Sequence, residues 1–400
     1  MLIDSLWLGV SLLSLMIWVG LLVWRGQFWR SDQQLIPSPA SSLKTWPPVC
    51  AVVPARNEAS LLPITLQSLL TQTYPGPFRV VLVDDQSTDG TAAVAQAIAT
   101  EVNQVQRLQV ITTDPLPSGW TGKLWALHQG IQKVLNQEAS TWPYYVFLTD
   151  ADICHDPDNL RTLVTKAQQD DLDLASLMVQ LRCQSGWEQF LIPAFVFFFQ
   201  KLYPFAWVND PLRPTAAAAG GCILVRRQAL ERAGGLEAVR EALIDDCSLA
   251  AAIKASAVEH AGTGQIWLGL TTTTHSLRAY ESLESIWTMV ARTAYTQLHH
   301  SPWLLFGTVI GMGLVYLVAP VSAVLGWMLG KGLIAITGTL TWLLMAIAYY
   351  PTVRLYRISP LWAGTLPAIA LLYNLMTLDS ARRHWQGKGG AWKGRVYPAR

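Results

Sequence analysis

The sequence predicts a membrane-anchored α/β protein, with a mostly parallel sheet covered by helices on both faces and apolar segments at both chain ends. Three observations predict it. Apolar residues concentrate at the two ends, strand-like runs alternate with helical stretches between about 49 and 280, and acids collect where those strands stop. The 400 residues are 51% hydrophobic and 14% charged, with a mean hydropathy of +0.28. That is greasier than a soluble enzyme and more polar than a pure transporter. Lys plus Arg total 29 against 27 Asp plus Glu, so the +2 balance implies no nucleic-acid partner, and no RNA or DNA module is visible. Five scattered cysteines without CxxC or Cys/His spacing argue against a disulfide framework or zinc site, and read as packing thiols.

Taken in order, residues 6 to 24 (LWLGVSLLSLMIWVGLLVW) carry no charge and as a helix span about 28 Å, close to the hydrocarbon thickness. Asp4 precedes this segment and Arg25 and Arg30 follow it, so residues 1–30 read as an uncleaved anchor with the chain after Arg25 in the cytoplasm. Residues 31–48 read as a Pro/Ser linker. Strand-like runs at 49–55, 78–85, 108–113 and 144–152 alternate with helical stretches after Glu58, Asp89 and Lys123. This domain is expected over 49–300, followed by an apolar region over 301–380 and a basic tail over 381–400.

Within 301–380, blocks at 303–329, 332–350 and 361–378 are each long enough to span. Four full spans from an outside N-terminus would leave the tail outside, yet it carries Arg382, Arg383, Lys388, Lys393, Arg395 and Arg400. The positive-inside rule favours a cytoplasmic tail, with the Pro-containing last block re-entrant or interfacial. The basic tail reads either as a topological anchor or as a contact for anionic headgroups. The aromatic stretch 187–207 reads equally as a helix in the membrane interface or a buried core helix.

In a sheet of this kind, ligands gather at the carboxyl ends of the strands. Arg56, Asn57, Glu58, Asp84, Asp85, Asp150 and Asp152 lie there. Asp150 and Asp152, separated by one residue after an apolar run, suit one Mg2+ or Mn2+ ion with room left for phosphates. Asp84 and Asp85 could accept the imide N–H of a uracil-like base. Lys123, in a Gly-flanked turn entering a helix, could face a diphosphate together with the helix N-terminus. Asp245 and Asp246 open a later helix and could supply a general base. Plainer roles exist as well: Asp89 reads as a helix cap, Asp245 as a cap or acceptor of backbone N–H groups, and Glu58 as a first-turn carboxylate.

The ordered set PARNE, VDDQSTDGT, GWTGK, TDAD, GGCILVRR and DD, ahead of an apolar C-terminal region, resembles the inverting family 2 glycosyltransferases over about residues 47–300. The blocks GWTGKLWAL, RPTAAAAGGCILVRR, YESLESIWTMVARTAYTQL and WKGRVY are most similar to the hopene-associated membrane branch. The resemblance implies the GT-A fold, a Rossmann-like mostly parallel sheet. It implies a nucleotide-sugar donor, expected to be a UDP-sugar, and a lipid acceptor at a bacterial inner (cytoplasmic) membrane, with a multi-pass chain and a cytoplasmic catalytic domain. Pro54, Arg56, Glu58, Asp84, Asp85, Lys123 and Asp150 would line the nucleotide, Asp150 and Asp152 the metal, and Asp246 would be the base. Asp245 and Arg292 would lie on the acceptor side. Where many membrane members carry Gln/Arg-x-x-Arg-Trp, this chain has Arg292 followed by Thr293, which weakens a processive polysaccharide synthase and favours one transfer onto a lipid. An inactive membrane scaffold, a nucleotidyltransferase and a transporter are the rival classes. PARNEAS replaces the Gly-rich loop of the second of these, and the apolar blocks lack the charges of the third.

Overall fold

Val49–Ala55 (β1), Phe78–Asp84 (β2), Leu108–Thr112 (β3) and Tyr145–Leu148 (β4) form the first half of one sheet, at the positions where continuous apolar runs predict strands. Ile153–His155 (β5), Leu174–Gln180 (β6), Ile223–Arg226 (β7) and Ile266–Ser276 (β8) complete it, in the order β3-β2-β1-β4-β7-β6-β8-β5. The computed structural model describes residues 2–36, 43–136, 143–260, 264–387, 391–392 and 395–396. Lys388, Lys393 and Arg400 of the basic tail, and part of the expected linker, lie outside them.

The sheet is mostly parallel, as expected, and mixed in that β5 and β7 run against the other strands. β1, β2, β3 and β4 pair in parallel, as do β6 and β8, whereas β7 is antiparallel to both β4 and β6, and β5 is antiparallel to β8. Parallel pairing needs a crossover to carry the chain back to the starting edge. No such crossover precedes β7: the chain leaves the sheet after Gln180 and re-enters it at the same edge, so β7 must run the other way. That return lays the segment Ala217–Gly221 along the edge where β1, β2 and β4 end.

Alternate β1 residues (Val49, Ala51, Val53) and Leu82 join Leu66, Leu70, Ile98 and Leu163 from the helices Leu62–Leu70, Thr91–Glu101 and Asn159–Gln169 in one buried core. Helix Gly122–Leu135 lies on the opposite face. A Cβ at Gly130 would stand 2.5 Å from Val52 Cγ1 and 2.7 Å from Val83 Cγ2, so only glycine lets the helix approach this closely.

These elements belong to a unit made of Gln33–Arg182 and Trp207–Arg278. The expected linker contributes to it: Leu35 donates its N–H to Leu270 O and Gln33 O accepts from Leu270, an isolated bridge on β8. The second unit comprises Met1–Asp32, Cys183–Ala206 and Ala279–Arg400, so the expected 49–300 domain is divided between the two. Among the described residues, the second unit contains four helices long and apolar enough to cross a membrane: Leu2–Trp24, Pro302–Met328, Gly332–Leu355 and Pro360–Trp385.

Residues Gly313–Leu317 make a π-turn within Pro302–Met328. Such a turn disturbs the backbone ladder, and freed carbonyls need partners where water is absent. Ser14 donates to Leu314 O and Trp18 to Val315 O (2.7 Å), from the first helix. The stretch read as an interfacial or core helix forms Gly186–Leu202, opened by a Ser185/Glu188 capping box. It packs among the apolar helices, with Phe197 against Phe28 and Tyr349, and Phe198 against Tyr316 and Tyr373.

Candidate active site

The carboxyl edge of β1, β2 and β4 gathers most of the residues singled out in the sequence. Arg56, just past β1, donates to Asp85 O at 2.6 Å, and its Nη1 lies 3.5 Å from Asp85 Oδ2. Asp85 also accepts from Thr113 Oγ1 and is 1% exposed. It therefore braces three strand ends from inside. Asp84 accepts the Ser87 N–H through Oδ1, which tightens the turn after β2. Pro54 lies within β1, in register with Val83. Asp89 accepts from the N–H groups of Ala59 and Thr91, tying the two loops together, but it is not the helix cap read from the sequence: the cap position is Gly90, one residue later.

The turn after β4 is pinned from below. His155 Nε2 meets Thr149 Oγ1 at 2.9 Å, Asn159 Nδ2 meets its Nδ1 at 3.1 Å, and Thr149 donates to Gly221 O. Burial, with the neighbouring His275, lowers His155 to about 3, so it is neutral and serves as a brace. This fixes Asp150 and Asp152.

Lys123 enters helix Gly122–Leu135 behind its Thr121 cap. Its Nζ stands 3.0 Å from Asp150 Oδ1 and 3.5 Å from Asp245 Oδ2. Burial alone would lower Lys123, but the charges of Asp150, Asp245 and Asp246 outweigh it and hold the ammonium well above its ordinary range. Asp150 is raised, first by burial, with Lys123 opposing and Asp152 adding to the shift.

Asp246 Oδ2 accepts the Gly220 N–H and Oδ1 accepts its neighbour's, that of Cys247, both at 2.8 Å. Burial and then the Asp245 charge raise its carboxyl to about 6 against the pull of Lys123. A Cβ on Gly220 would lie 3.0 Å from Lys123 Nζ and 3.4 Å from Asp246 Oδ2, so a side chain there would press on both groups.

Arg278, which no sequence motif marked, completes the group. Its Nε donates to Asp152 Oδ2 at 2.9 Å and its Nη2 to Glu58 Oε1 at 2.8 Å. Ser276 Oγ also donates to Asp152 Oδ2, at 3.1 Å. The available signal was position: Arg278 follows the last strand at the edge already rich in acids. The structure thus strings Glu58, Arg278, Asp152, Asp150, Lys123, Asp245 and Asp246 along one edge. Arg292 instead caps the helix Leu283–Ala291, in the other unit.

No three His, Cys, Asp or Glu side chains converge as a ready-made cation cage among the described residues. The donor chemistry nevertheless fits a divalent ion arriving with phosphates. Five carboxylates (Glu58, Asp150, Asp152, Asp245, Asp246) face two cations, Lys123 and Arg278, and the excess negative charge is carried by hard oxygens.

Residues 50–234 match the family described as glycosyl transferase family 2. The β-monoglucosyldiacylglycerol synthase of Synechocystis sp. is 31% identical over 173 residues, 40% of this chain and 34% of that protein. The chain thus spans about a third of the length of the curated relative it matches. Among solved structures, the Pyrobaculum calidifontis mannosyltransferase in complex with GDP-Man and Mn2+ superimposes with a TM-score of 0.54. It is 18% identical and covers 93% of this chain and 99% of its own. The fold is that of the GT-A transferases, with its mixed sheet and flanking helices.

Proposed function

We propose that this chain is a membrane-bound inverting glycosyltransferase that moves a sugar from a nucleoside-diphosphate donor to the hydroxyl of a lipid. The observation that carries this reading is Lys123 held between Asp150 and Asp245 beside the raised carboxyl of Asp246, at the strand edge of a family 2 domain. This arrangement joins a cation for a leaving diphosphate to a carboxylate for an incoming hydroxyl.

Asp84 and Glu58 line the nucleoside side, with a uracil base as the expected occupant. Lys123 and the N–H groups opening its helix face the diphosphate and stabilise the charge that develops on it as the glycosidic bond breaks. Asp246 removes the proton from the acceptor hydroxyl as its oxygen attacks the anomeric carbon from the opposite face. One displacement inverts that centre. Asp150 and Asp152 would hold Mg2+ or Mn2+, which when bound supplies further positive charge to the leaving group. Asp245 keeps Lys123 in place and adds the negative charge that raises Asp246.

A lipid acceptor is supported by the apolar helices and by the relative, named for a glucosyldiacylglycerol. The narrower resemblance makes a hopanoid-type alcohol the finer proposal. The resemblance supports a bacterial inner membrane, and Arg25 and Arg30 after the first helix support a cytoplasmic family 2 domain.

The test is to incubate purified full-length protein in bacterial lipid with a panel of UDP- and GDP-sugars and Mg2+ or Mn2+. Nucleotide release is followed, and the lipid extract is searched by mass spectrometry with diacylglycerol and hopanoid alcohols supplied separately. A sugar-modified lipid that depends on metal and donor is expected. Absence of both nucleotide release and modified lipid with every donor would overturn the reading.

A further inference from the structure

Arg278 binds two acids that the proposed reaction needs in other roles. Its guanidinium makes two short charge-assisted bonds, to Asp152 and Glu58, whose side chains are only 10% and 8% exposed. Charges this buried are costly unless paired, and removing the partner of a buried charge costs more than the pair itself contributes. A metal ion approaching Asp152 therefore competes with a cation already seated there. A nucleoside diphosphate changes that balance, because its phosphates offer the displaced guanidinium a new anionic partner while Glu58 still holds its other edge.

We infer that Arg278 is the resident counter-ion of the donor site, which keeps Asp152 from binding a divalent cation until a nucleoside diphosphate arrives with it. The inference rests on the glycosyltransferase reading and adds to it a coupling between metal and nucleotide. Arg278 is a positioning residue here: it acts on the site through Asp152 and Glu58. Its place two residues beyond β8 fixes the geometry, since Leu277 N–H donates to Asp152 O and Arg278 N–H to Ser276 Oγ.

The test measures Mn2+ binding to the full-length protein by the loss of the free-ion EPR signal, alone and with UDP or GDP, in wild type, R278Q and R278K. In wild type, the favoured nucleotide should tighten Mn2+ by about tenfold or more. R278Q should bind Mn2+ alone about tenfold more tightly than wild type, and the added effect of nucleotide should shrink to about threefold or less. R278K, which keeps a cation that reaches fewer oxygens at once, should fall between the two and guards against R278Q failing to fold. Mn2+ affinity unchanged or weakened in both variants, with wild type binding normally, overturns the counter-ion role alone. Wild type taking up no Mn2+ with either nucleotide overturns the donor-site reading and the inference with it.

Discussion

At the scale of single residues, Asp246 carries the sharpest expectation. Burial and the adjacent Asp245 lift its carboxyl to about 6 from an ordinary value of 3.8. A base works ionised, so kcat/KM for the acceptor should be level above this value and fall about tenfold per pH unit below it. The sign for stability is opposite: with its folded pKa above the unfolded one, this group favours the folded chain increasingly as pH drops from neutral toward 4. Asp246→Asn should lower turnover by about 10² to 10⁴ while leaving nucleotide affinity near wild type. A variant that keeps turnover within threefold of wild type would remove Asp246 from the chemistry. Asp246 was legible in the sequence because two adjacent acids open a helix. Its Gly220 partner was seen only as part of a motif, since nothing local tells that a residue 26 positions earlier returns beside it.

At the scale of elements, the first four strands were legible because each is a short, largely apolar run between turn residues, continuous and fully buried in β1 and β4, while the half-buried edge strand β3 carries Gln109 within it. The second half was not. β7 lies inside a motif read for its chemistry, and the direction of a strand is set by where the chain re-enters the sheet, which its own residues do not record. The segment leading to β7 is held by a device equally invisible beforehand: Lys254 Nζ donates to the carbonyls of Val208, Asp210 and Thr215, each at 2.9 Å. One ammonium thus fixes the last carbonyl of the short helix Phe205–Val208 and two carbonyls of the irregular segment that follows it. Lys254→Met keeps the apolar stem and deletes all three bonds, each worth about 1.5–3 kcal/mol when one partner is charged. We expect a thermal midpoint lower by several degrees and faster proteolytic cleavage between 209 and 216, read by mass spectrometry of the fragments. Wild-type stability together with wild-type cleavage would show that the segment is held by other contacts.

At the scale of the whole chain, the sequence posed a conflict between four apolar blocks and a basic tail, and the bonds within the helical unit bear on it. Asp4 pairs with Lys331, Trp7 and Ser11 reach Ser322, and Ser14 and Trp18 reach Leu314 and Val315. The first helix therefore runs antiparallel to Pro302–Met328, which puts Trp24 and Pro302 at one face and Lys331 at the other. Gly332–Leu355 returns to the Trp24 face. A further crossing would carry Trp385 to the face of Asp4. Instead, Trp342, midway along its helix, donates to Gly364 O at 2.8 Å, Asn374 donates to Val309 O, and Tyr295, just ahead of Pro302, donates to Ser380 Oγ. The block Pro360–Trp385 thus rises to mid-depth as a 3-10 segment, Pro360–Thr365, and comes back as a helix. A chain crossing three times would set Arg382 and Arg383 on the same face as Arg25, Arg30, Arg354 and Arg357, as the positive-inside rule asks. Alkaline phosphatase fused within the turn at Lys331 should be active in cells and inactive when fused after residue 400, with a fluorescent protein giving the reverse pattern. Active phosphatase at residue 400 would restore a fourth crossing and leave the basic tail on the outer face.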